Sequence, residues 1–243
     1  GGKNAIIVDA DADLDQAVAG VVTSAFGYQG QKCSACSRVI VVGDAFEPFV
    51  GRLTEAARSL TIGDPADPAV QLGAVIDERA RRSIEAYTEV GRTETVCHLA
   101  VAPPPGGCFV GPVIFTDVAP EAAVATEEIF GPVVALFRAR DFEEALALAN
   151  ASAYRLTGGV YSRSPARLEA ARRRFRVGNL YINRPITGAL VGRQPFGGFG
   201  MSGVGSKAGG PDYLLQFLEP ITISENTIRR GFAPPADLED AVT

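Results

Sequence analysis

One short stretch contains the residues best suited to chemistry: Phe26-Gly27-Tyr28-Gln29-Gly30-Gln31-Lys32-Cys33-Ser34-Ala35-Cys36. The Cys33 thiol follows a glycine turn that permits close backbone approach. We expect Cys33 to open a short helical turn whose free N–H groups favour the thiolate, the nucleophilic form of cysteine. The alternative is a small buried apolar residue, which is what most isolated cysteines are.

Cys33 and Cys36 also form a C-x-x-C pair, which occurs in zinc sites and in thioredoxin-like redox centres. A structural zinc site needs four ligands, whereas the only histidine, His98, is far away in the sequence and no second C-x-x-C is present. A thioredoxin-like pair would follow a strand, but this one follows a long predicted helix. We therefore predict no metal site, and redox chemistry remains the weaker alternative.

A second motif, G-x-G-x-x-G at Gly198 to Gly203, matches the fingerprint of dinucleotide-binding loops. A genuine fingerprint ends a strand and begins a helix. Here the motif follows a long irregular stretch and is followed by more glycine. The pattern therefore does not predict a pyrophosphate site at this position.

Apolar runs of strand length alternate with segments of helical period, which predicts an α/β fold with a mostly parallel twisted sheet flanked by helices. The predicted strands are 5–8, 39–42, 96–101, 113–115, 133–137, 159–161 and 180–182. The predicted helices are 13–26, 47–60, 78–90, 142–150 and 166–175.

The C-terminal segment does not continue the alternation of strands and helices. Leu214 to Ile223 reads as an extended apolar strand with no helix to cover it, and such a strand needs a partner. We therefore predict that 213–243 is a C-terminal oligomerisation strand and tail, with a loosely ordered end, and that the protein is a homo-oligomer.

Composition narrows the class of protein. A net charge of -5 and a pI near 5.1 give no basic surface for nucleic acid, so a small-molecule substrate is expected. No apolar run reaches the roughly 18 residues that would span a membrane, and no secretion signal is visible. Four cysteines in 243 residues fit a reduced, cytoplasmic setting.

Several motifs together resemble one family. The run Phe26 to Cys33 is similar to the active-site signature F-x-x-x-G-Q-x-C of aldehyde dehydrogenases. Five more family motifs occur in the same order, and the resemblance covers nearly the whole chain: GGKNA at the start, EEIFGPV at 127–133, LTGGVYS at 156–162, GNLYIN at 178–183 and PFGGFGMSG at 195–203. It implies that 1–212 is the catalytic thiol domain of an enzyme that uses NAD, or NADP.

The resemblance also implies roles for individual residues. Cys33 would attack the aldehyde, the thiohemiacetal would lose hydride to the nicotinamide, and water would hydrolyse the thioester. Glu128 would hold the nicotinamide ribose and Phe130 would help to position the nicotinamide. Without the resemblance, these two residues would be read as a solvated carboxylate and a core aromatic.

Two further parts of such an enzyme are expected outside this sequence. The family's general-base glutamate would fall two residues before Gly1. The asparagine that shares the oxyanion hole would lie further upstream, in an N-terminal dinucleotide-binding domain that is absent from this chain. We therefore expect the chain to be part of a longer protein and to be inactive alone.

Fewer residues indicate the substrate than indicate the family. Ser34 and the stretch INRPITGALVGRQPFGG resemble the branch of the family that oxidises L-glutamate γ-semialdehyde, formed from 1-pyrroline-5-carboxylate in proline catabolism, to L-glutamate. In that branch Ser34, Gly188 and Ala189 would bind the substrate's α-carboxylate, and Phe196 would pack against its aliphatic chain. The alternatives are another small semialdehyde, or a non-catalytic assembly module.

Overall fold

The computed structural model describes residues 1–227, and its main element is a seven-stranded sheet. The strands are β1 Asn4–Val8, β2 Cys36–Val42, β3 Val96–Ala100, β4 Val113–Thr116, β5 Val133–Ala139, β6 Tyr154–Arg155, β7 Thr157–Tyr161, β8 Asn179–Ile182 and β9 Phe199–Gly200. The helices are α1 Leu14–Ala25, α2 Phe46–Arg58, α3 Glu78–Glu94, α4 Ala123–Thr126, α5 Phe142–Asn150 and α6 Pro165–Arg174. Short 3₁₀ helices occupy Gly27–Gly30, Gly43–Ala45 and Tyr213–Phe217.

The order of strands in the sheet is β3-β4-β5-β2-β1-β7-β8. All neighbouring pairs are parallel except β3 with β4, while β6 and β9 form a separate antiparallel ribbon. Because β1 lies between β2 and β7, the amino ends of these three strands meet at one edge of the sheet. This edge carries the candidate site.

Alternating side chains of the strands face two separate cores. Ile6 and Val8 of β1 pack with the apolar faces of α1 and α2, whereas Ala5 and Ile7 face the side that holds α3, α5 and α6. A strand that is covered on both faces reads as a continuous apolar run, as β1 and β5 do. The double coverage is what makes the central strands a rigid support.

Most predicted elements are present within a few residues of their expected bounds. The Asp13 side chain accepts hydrogen bonds from Asp15 N and Gln16 N and thereby caps the start of α1. The strand β2 begins three residues earlier than predicted, because polar Ser37 and Arg38 interrupt the apolar run. The short elements α4, β6 and β9 have no periodic signal and were missed.

The prediction of a strand over Leu214 to Ile223 is wrong for this chain. Residues 213–217 form a 3₁₀ helix, and residues 218–227 are exposed and belong to no helix or strand. A strand is stable only when its backbone groups pair with a neighbour, and this segment pairs with no strand among the described residues. The rest of the predicted tail, 228–243, lies outside the described residues.

Across residues 1–227, no helix combines the length and the apolar character needed to cross a lipid bilayer.

Candidate active site

Cys33 lies in a tight turn immediately before β2. Ala35 N donates to Lys32 O at 3.0 Å, which closes the turn over Lys32 to Ala35, and the Cys33 side chain is exposed. A single hydrogen-bonded turn stands where a short helical turn was expected at Cys33, and it is not continued into a helix because β2 begins at Cys36. The thiol is therefore presented by a turn that is fixed to the central sheet.

The segment before the turn takes an unusual backbone path. Tyr28 and Gln29 both have φ of 57°, in the left-handed region that side-chain-bearing residues rarely adopt, and Gly30 follows with φ of 66°. A Cβ on Gly30 would overlap the carbonyl of Gly131. Glycine is thus required at position 30 both by the backbone angle and by the close approach of the loop that contains Glu128 and Phe130.

The opening glycines join Cys33 to Glu128. Gly2 N donates to Glu128 Oε1 at 2.8 Å. A Cβ on Gly2 would lie 2.6 Å from Cys33 O, and a Cβ on Gly1 would overlap the Glu128 carboxylate. The thiol turn and the carboxylate therefore meet across two residues that have no side chain.

The Phe130 side chain is partly exposed, and the backbone of this residue is strained. Its φ is 58° and its side chain is 43% exposed, while the neighbouring Ile129 is buried and anchors the loop. An aromatic residue in the left-handed region is a true outlier that surrounding structure must enforce. Such strain is common where a side chain has to face a ligand.

A cleft of about 750 Å³ opens beside Phe130. Its walls are mostly apolar, and Gln31, two residues before Cys33, contributes to them. The Gln31 side chain also accepts from Ile76 N at 3.0 Å, which ties the loop after α2 to the segment before Cys33. A cleft of this size and character is suited to a small organic ligand. The other lining residues are Tyr28, Gln29, Asp64, Pro65, Gly73, Ala74, Ile76 and Phe109.

The residues predicted to bind substrate lie on two separate segments. Ser34 is buried beside Cys33 and its carbonyl accepts from Thr157 Oγ1 at 3.3 Å. Gly188 is exposed with φ of 80°, and Ala189 follows it in the same loop. No hydrogen bond among residues 1–227 joins Ser34 to Gly188 or Ala189.

Phe196 is half-buried in the loop that follows β8. Its N and O pair with Ala208 O and N, both at 2.9 Å, and the Asn179 amide holds the two flanking residues, Pro195 and Gly197. The loop is therefore anchored to β8. The G-x-G-x-x-G motif lies in the same loop, where it forms β9 and is not followed by an α-helix among the described residues, in agreement with its rejection as a dinucleotide fingerprint.

Burial changes the ionisation of two groups close to Cys33. Burial raises the pKa of the Cys36 thiol to about 12, so Cys36 stays protonated at neutral pH. Burial, and then repulsion from the Arg38 guanidinium, lower the pKa of Lys3 to about 7, and attraction to Glu128 offsets only part of this. The C-x-x-C pair is thus unequal: one thiol is exposed and the other is inert.

Sequence reasoning missed the role of Asn4. Its amide is buried and donates to Cys33 O at 2.9 Å and to Ala35 O at 2.7 Å. The GGKNA motif was recognised, but a polar residue at the start of an apolar strand carried no signal of its own. No group of three or more acidic, histidine or cysteine side chains in residues 1–227 has the arrangement of a metal site.

Comparison with known proteins identifies close relatives of this chain. The model of the aldehyde dehydrogenase family matches residues 1–223. Curated 1-pyrroline-5-carboxylate dehydrogenases of Geobacillus kaustophilus (strain HTA426) and Bacillus subtilis (strain 168) are 52% and 47% identical over 226 residues. Those residues are 93% of this chain and 44% of each relative, so the chain spans less than half the length of these proteins.

Solved structures give the same result. A 1-pyrroline-5-carboxylate dehydrogenase from Thermus with bound NAD is 52% identical, with a TM-score of 0.87 over 90% of this chain and 42% of its own. Proline utilization A from Bdellovibrio bacteriovorus is 52% identical, with a TM-score of 0.91 over 96% of this chain and 24% of its own. The architecture of the described residues is therefore that of these enzymes' matching segments.

Proposed function

The chain belongs to the aldehyde dehydrogenase family, and we propose that it is the thiol-bearing catalytic part of an NAD(P)-dependent enzyme that oxidises L-glutamate γ-semialdehyde to L-glutamate in proline catabolism. The observation that carries this proposal is the meeting of the Cys33 turn and the Glu128 carboxylate across Gly2. One group is suited to covalent catalysis and the other to binding a ribose hydroxyl. Relatives that are about half identical and bear the name of this activity support the choice of substrate.

Cys33 is the proposed nucleophile. Its thiolate adds to the aldehyde carbon, so that a C–S bond forms and the carbonyl oxygen takes the electron pair. A nicotinamide held by Glu128 and Phe130 would supply the hydride acceptor, and loss of hydride from that carbon would leave a thioester on Cys33. The resulting Cys33 thioester is then hydrolysed by water, which returns the thiol and releases the carboxylate and a proton.

Glu128 and Phe130 fit a nicotinamide nucleotide. One carboxylate oxygen of Glu128 is held by Gly2 N, which fixes its orientation, and the carboxylate remains partly exposed. Phe130 presents its ring at the mouth of the apolar cleft. We therefore assign ribose binding to Glu128 and ring positioning to Phe130, with NAD as the cofactor and NADP as the alternative.

Ser34, Gly188 and Ala189 are the proposed carboxylate anchor. The left-handed backbone at Gly188 allows consecutive N–H groups to point toward one anion, and the Ser34 hydroxyl has no protein partner among the described residues. Phe196 provides apolar surface for the aliphatic chain. A different small semialdehyde is the alternative substrate, since only the anchor distinguishes the two.

The remaining parts of the proposal concern the larger protein. We propose that 1–212 is the catalytic domain and that 213–243 mediates homo-oligomer formation. The general-base glutamate would come from two residues before Gly1, and the oxyanion asparagine from a dinucleotide-binding domain further upstream. The enzyme would act in the cytoplasm, where a free thiol at Cys33 stays reduced.

The test is a kinetic comparison in the complete enzyme. Two or three charge-assisted hydrogen bonds to the α-carboxylate should give glutamate semialdehyde about a 100-fold or larger advantage in kcat/KM over pentanal. Cys33→Ala should abolish turnover of both aldehydes, whereas Cys97→Ala, which changes a thiol in the edge strand β3, should not. Equal kcat/KM for the two aldehydes would eliminate the anchor, and turnover by Cys33→Ala would eliminate the mechanism.

A further inference from the structure

The turn that carries Cys33 is held by side chains from two strands, β1 and β7. The Asn4 amide of β1 donates to Cys33 O at 2.9 Å and to Ala35 O at 2.7 Å. The hydroxyl of Thr157, the first residue of β7, donates to Ser34 O at 3.3 Å. Three consecutive carbonyls of the turn are thus bound by two residues that lie outside it.

The Asn4 amide is itself held in one orientation. Its Oδ1 accepts from Thr157 N at 3.0 Å, so Nδ2 must face the turn. Both residues are buried, with 3% of Asn4 and 1% of Thr157 exposed. A buried amide whose donors and acceptor are all engaged has no freedom to rotate.

Fixing the carbonyls also fixes the N–H groups of the turn. In a planar trans peptide the C=O and the N–H point in opposite directions. Since Cys33 O faces Asn4, the N–H of Ser34 must point away from Asn4. Since Lys32 O accepts from Ala35 N inside the turn, the N–H of Cys33 must point outward.

These two N–H groups have no acceptor among residues 1–227. Ser34 is buried, and a buried backbone donor without a partner needs an explanation. Adjacent free N–H groups can together bind a negatively charged oxygen. They belong to the nucleophile itself and to the residue after it.

We propose that Asn4 and Thr157 are positioning residues, which act by aiming the N–H groups of Cys33 and Ser34 at the oxygen that becomes negative when the Cys33 thiol adds to the aldehyde. The inference rests on the proposed function. It adds two residues that do not touch substrate, and a second backbone donor, at Ser34, to the machinery of the site.

Two reactions of Cys33 should respond differently to the loss of Asn4. Addition to an aldehyde creates a negative oxygen that the donors stabilise, whereas reaction with methyl methanethiosulfonate transfers a sulfur group and creates no such oxygen at the turn. Loss of Asn4 should therefore affect the first reaction far more than the second. A purely structural role would change both reactions, or neither, in the folded enzyme.

The experiment uses the complete enzyme and the variant Asn4→Ala. Removing a preorganised oxyanion donor costs about 100- to 1,000-fold, so loosening two of them should lower kcat/KM for the aldehyde by about 10- to 100-fold. The rate of Cys33 modification by methyl methanethiosulfonate should stay within about threefold of the unchanged enzyme. The matched control is Asn150→Ala, because the Asn150 amide also bridges two backbone groups, Arg174 O and Arg176 N, but does not contact the turn.

A gentler pair of variants keeps the test valid if Asn4→Ala does not fold. Thr157→Val removes only the hydroxyl, and should lower kcat/KM by about three- to tenfold, within the range of one neutral hydrogen bond. Thr157→Ser keeps the hydroxyl and should restore it to within about twofold.

Three results would overturn the proposal: kcat/KM of folded Asn4→Ala within threefold of normal, a parallel loss of thiol modification, or an equal loss in Asn150→Ala. Failure of the proposed function would look different, since the unchanged enzyme would then lack aldehyde oxidation.

Discussion

At the scale of single residues, Lys3 is a charged side chain that the fold buries without a hydrogen-bond partner in residues 1–227. It lies between Gly2 and Asn4, only 1% of it is exposed, and its ammonium has no hydrogen-bond partner among the described residues. An unpaired buried charge is costly, so the group responds by losing its proton more readily. Its pKa falls from a usual value of 10.5 to about 7, because of burial and then the nearby Arg38 guanidinium.

This shift makes the stability of the protein depend on pH. Between about pH 7 and 10.5 the unfolded chain holds the Lys3 proton and the folded chain does not, so the free energy of unfolding rises with pH in this window. Below pH 7 both states are charged and the cost of burial is present in full. We expect Lys3→Met to stabilise the protein most at low pH.

The measurement is denaturant unfolding of the complete protein at pH 6.0 and pH 9.5. The stabilisation by Lys3→Met should be roughly 2 to 4 kcal/mol smaller at the higher pH, since each pKa unit corresponds to about 1.4 kcal/mol. Lys207→Met, at an exposed lysine, is the control and should show no such difference. An equal effect of Lys3→Met at both pH values would contradict the buried-charge explanation.

At the scale of elements, α1 and β7 approach so closely that only glycine fits between them. A Cβ on Gly20 of α1 would overlap the hydroxyl of Tyr161, which is buried at the end of β7. Gly51 in α2 offers the opposite case, since nothing lies within 4 Å of its Cβ position. The same amino acid is therefore required by packing in one helix and only tolerated in the other.

Alanine at these two positions should act in opposite directions. Gly20→Ala should destabilise the protein by about 1 to 3 kcal/mol, because the buried Tyr161 ring cannot retreat. Gly51→Ala should stabilise it by about 0.5 to 1 kcal/mol through helix propensity alone. Chemical denaturation would measure both, and two changes of the same sign would contradict the assigned packing of α1 on β7.

At the scale of the whole molecule, the described C-terminal segment leaves much apolar surface in water. Six exposed apolar side chains lie within ten residues and are 62 to 88% accessible: Leu214, Leu215, Phe217, Leu218, Ile221 and Ile223. An exposed apolar row with unpaired backbone is a template for association. It supports the proposed homo-oligomer, although residues 214–217 are not the strand that the sequence predicted.

We expect substitutions in this segment to weaken self-association. Burying an isoleucine contributes about 1.5 to 3 kcal/mol, so Ile221→Ser with Ile223→Ser should raise the dissociation constant by about 100-fold or more. Sedimentation velocity of the complete protein would measure the shift toward monomer. Val204→Ser, at an equally exposed valine outside the segment, should leave assembly unchanged, and an unaltered oligomer in the double variant would exclude this surface.

The sequence by itself determined the family, the mostly parallel α/β fold and the position of most helices and strands, and comparison with known proteins confirms the family and the fold. It could do so because buried strands such as β1 and amphipathic helices such as α2 carry their periodicity in consecutive residues. The roles predicted for Cys33, Glu128, Phe130, Ser34, Gly188, Ala189 and Phe196 remain predictions that the proposed experiments test.

Only the tertiary structure decided how the active-site turn is held. The contact of Gly2 with Glu128 joins residues 126 positions apart, and that of Asn4 with Thr157 joins residues 153 apart. Local patterns contain no information about such distant pairs, because they arise when parallel strands bring their amino ends together. For the same reason the sequence indicated a turn at Cys33, but not that the carbonyls of this turn would face Asn4 and Thr157.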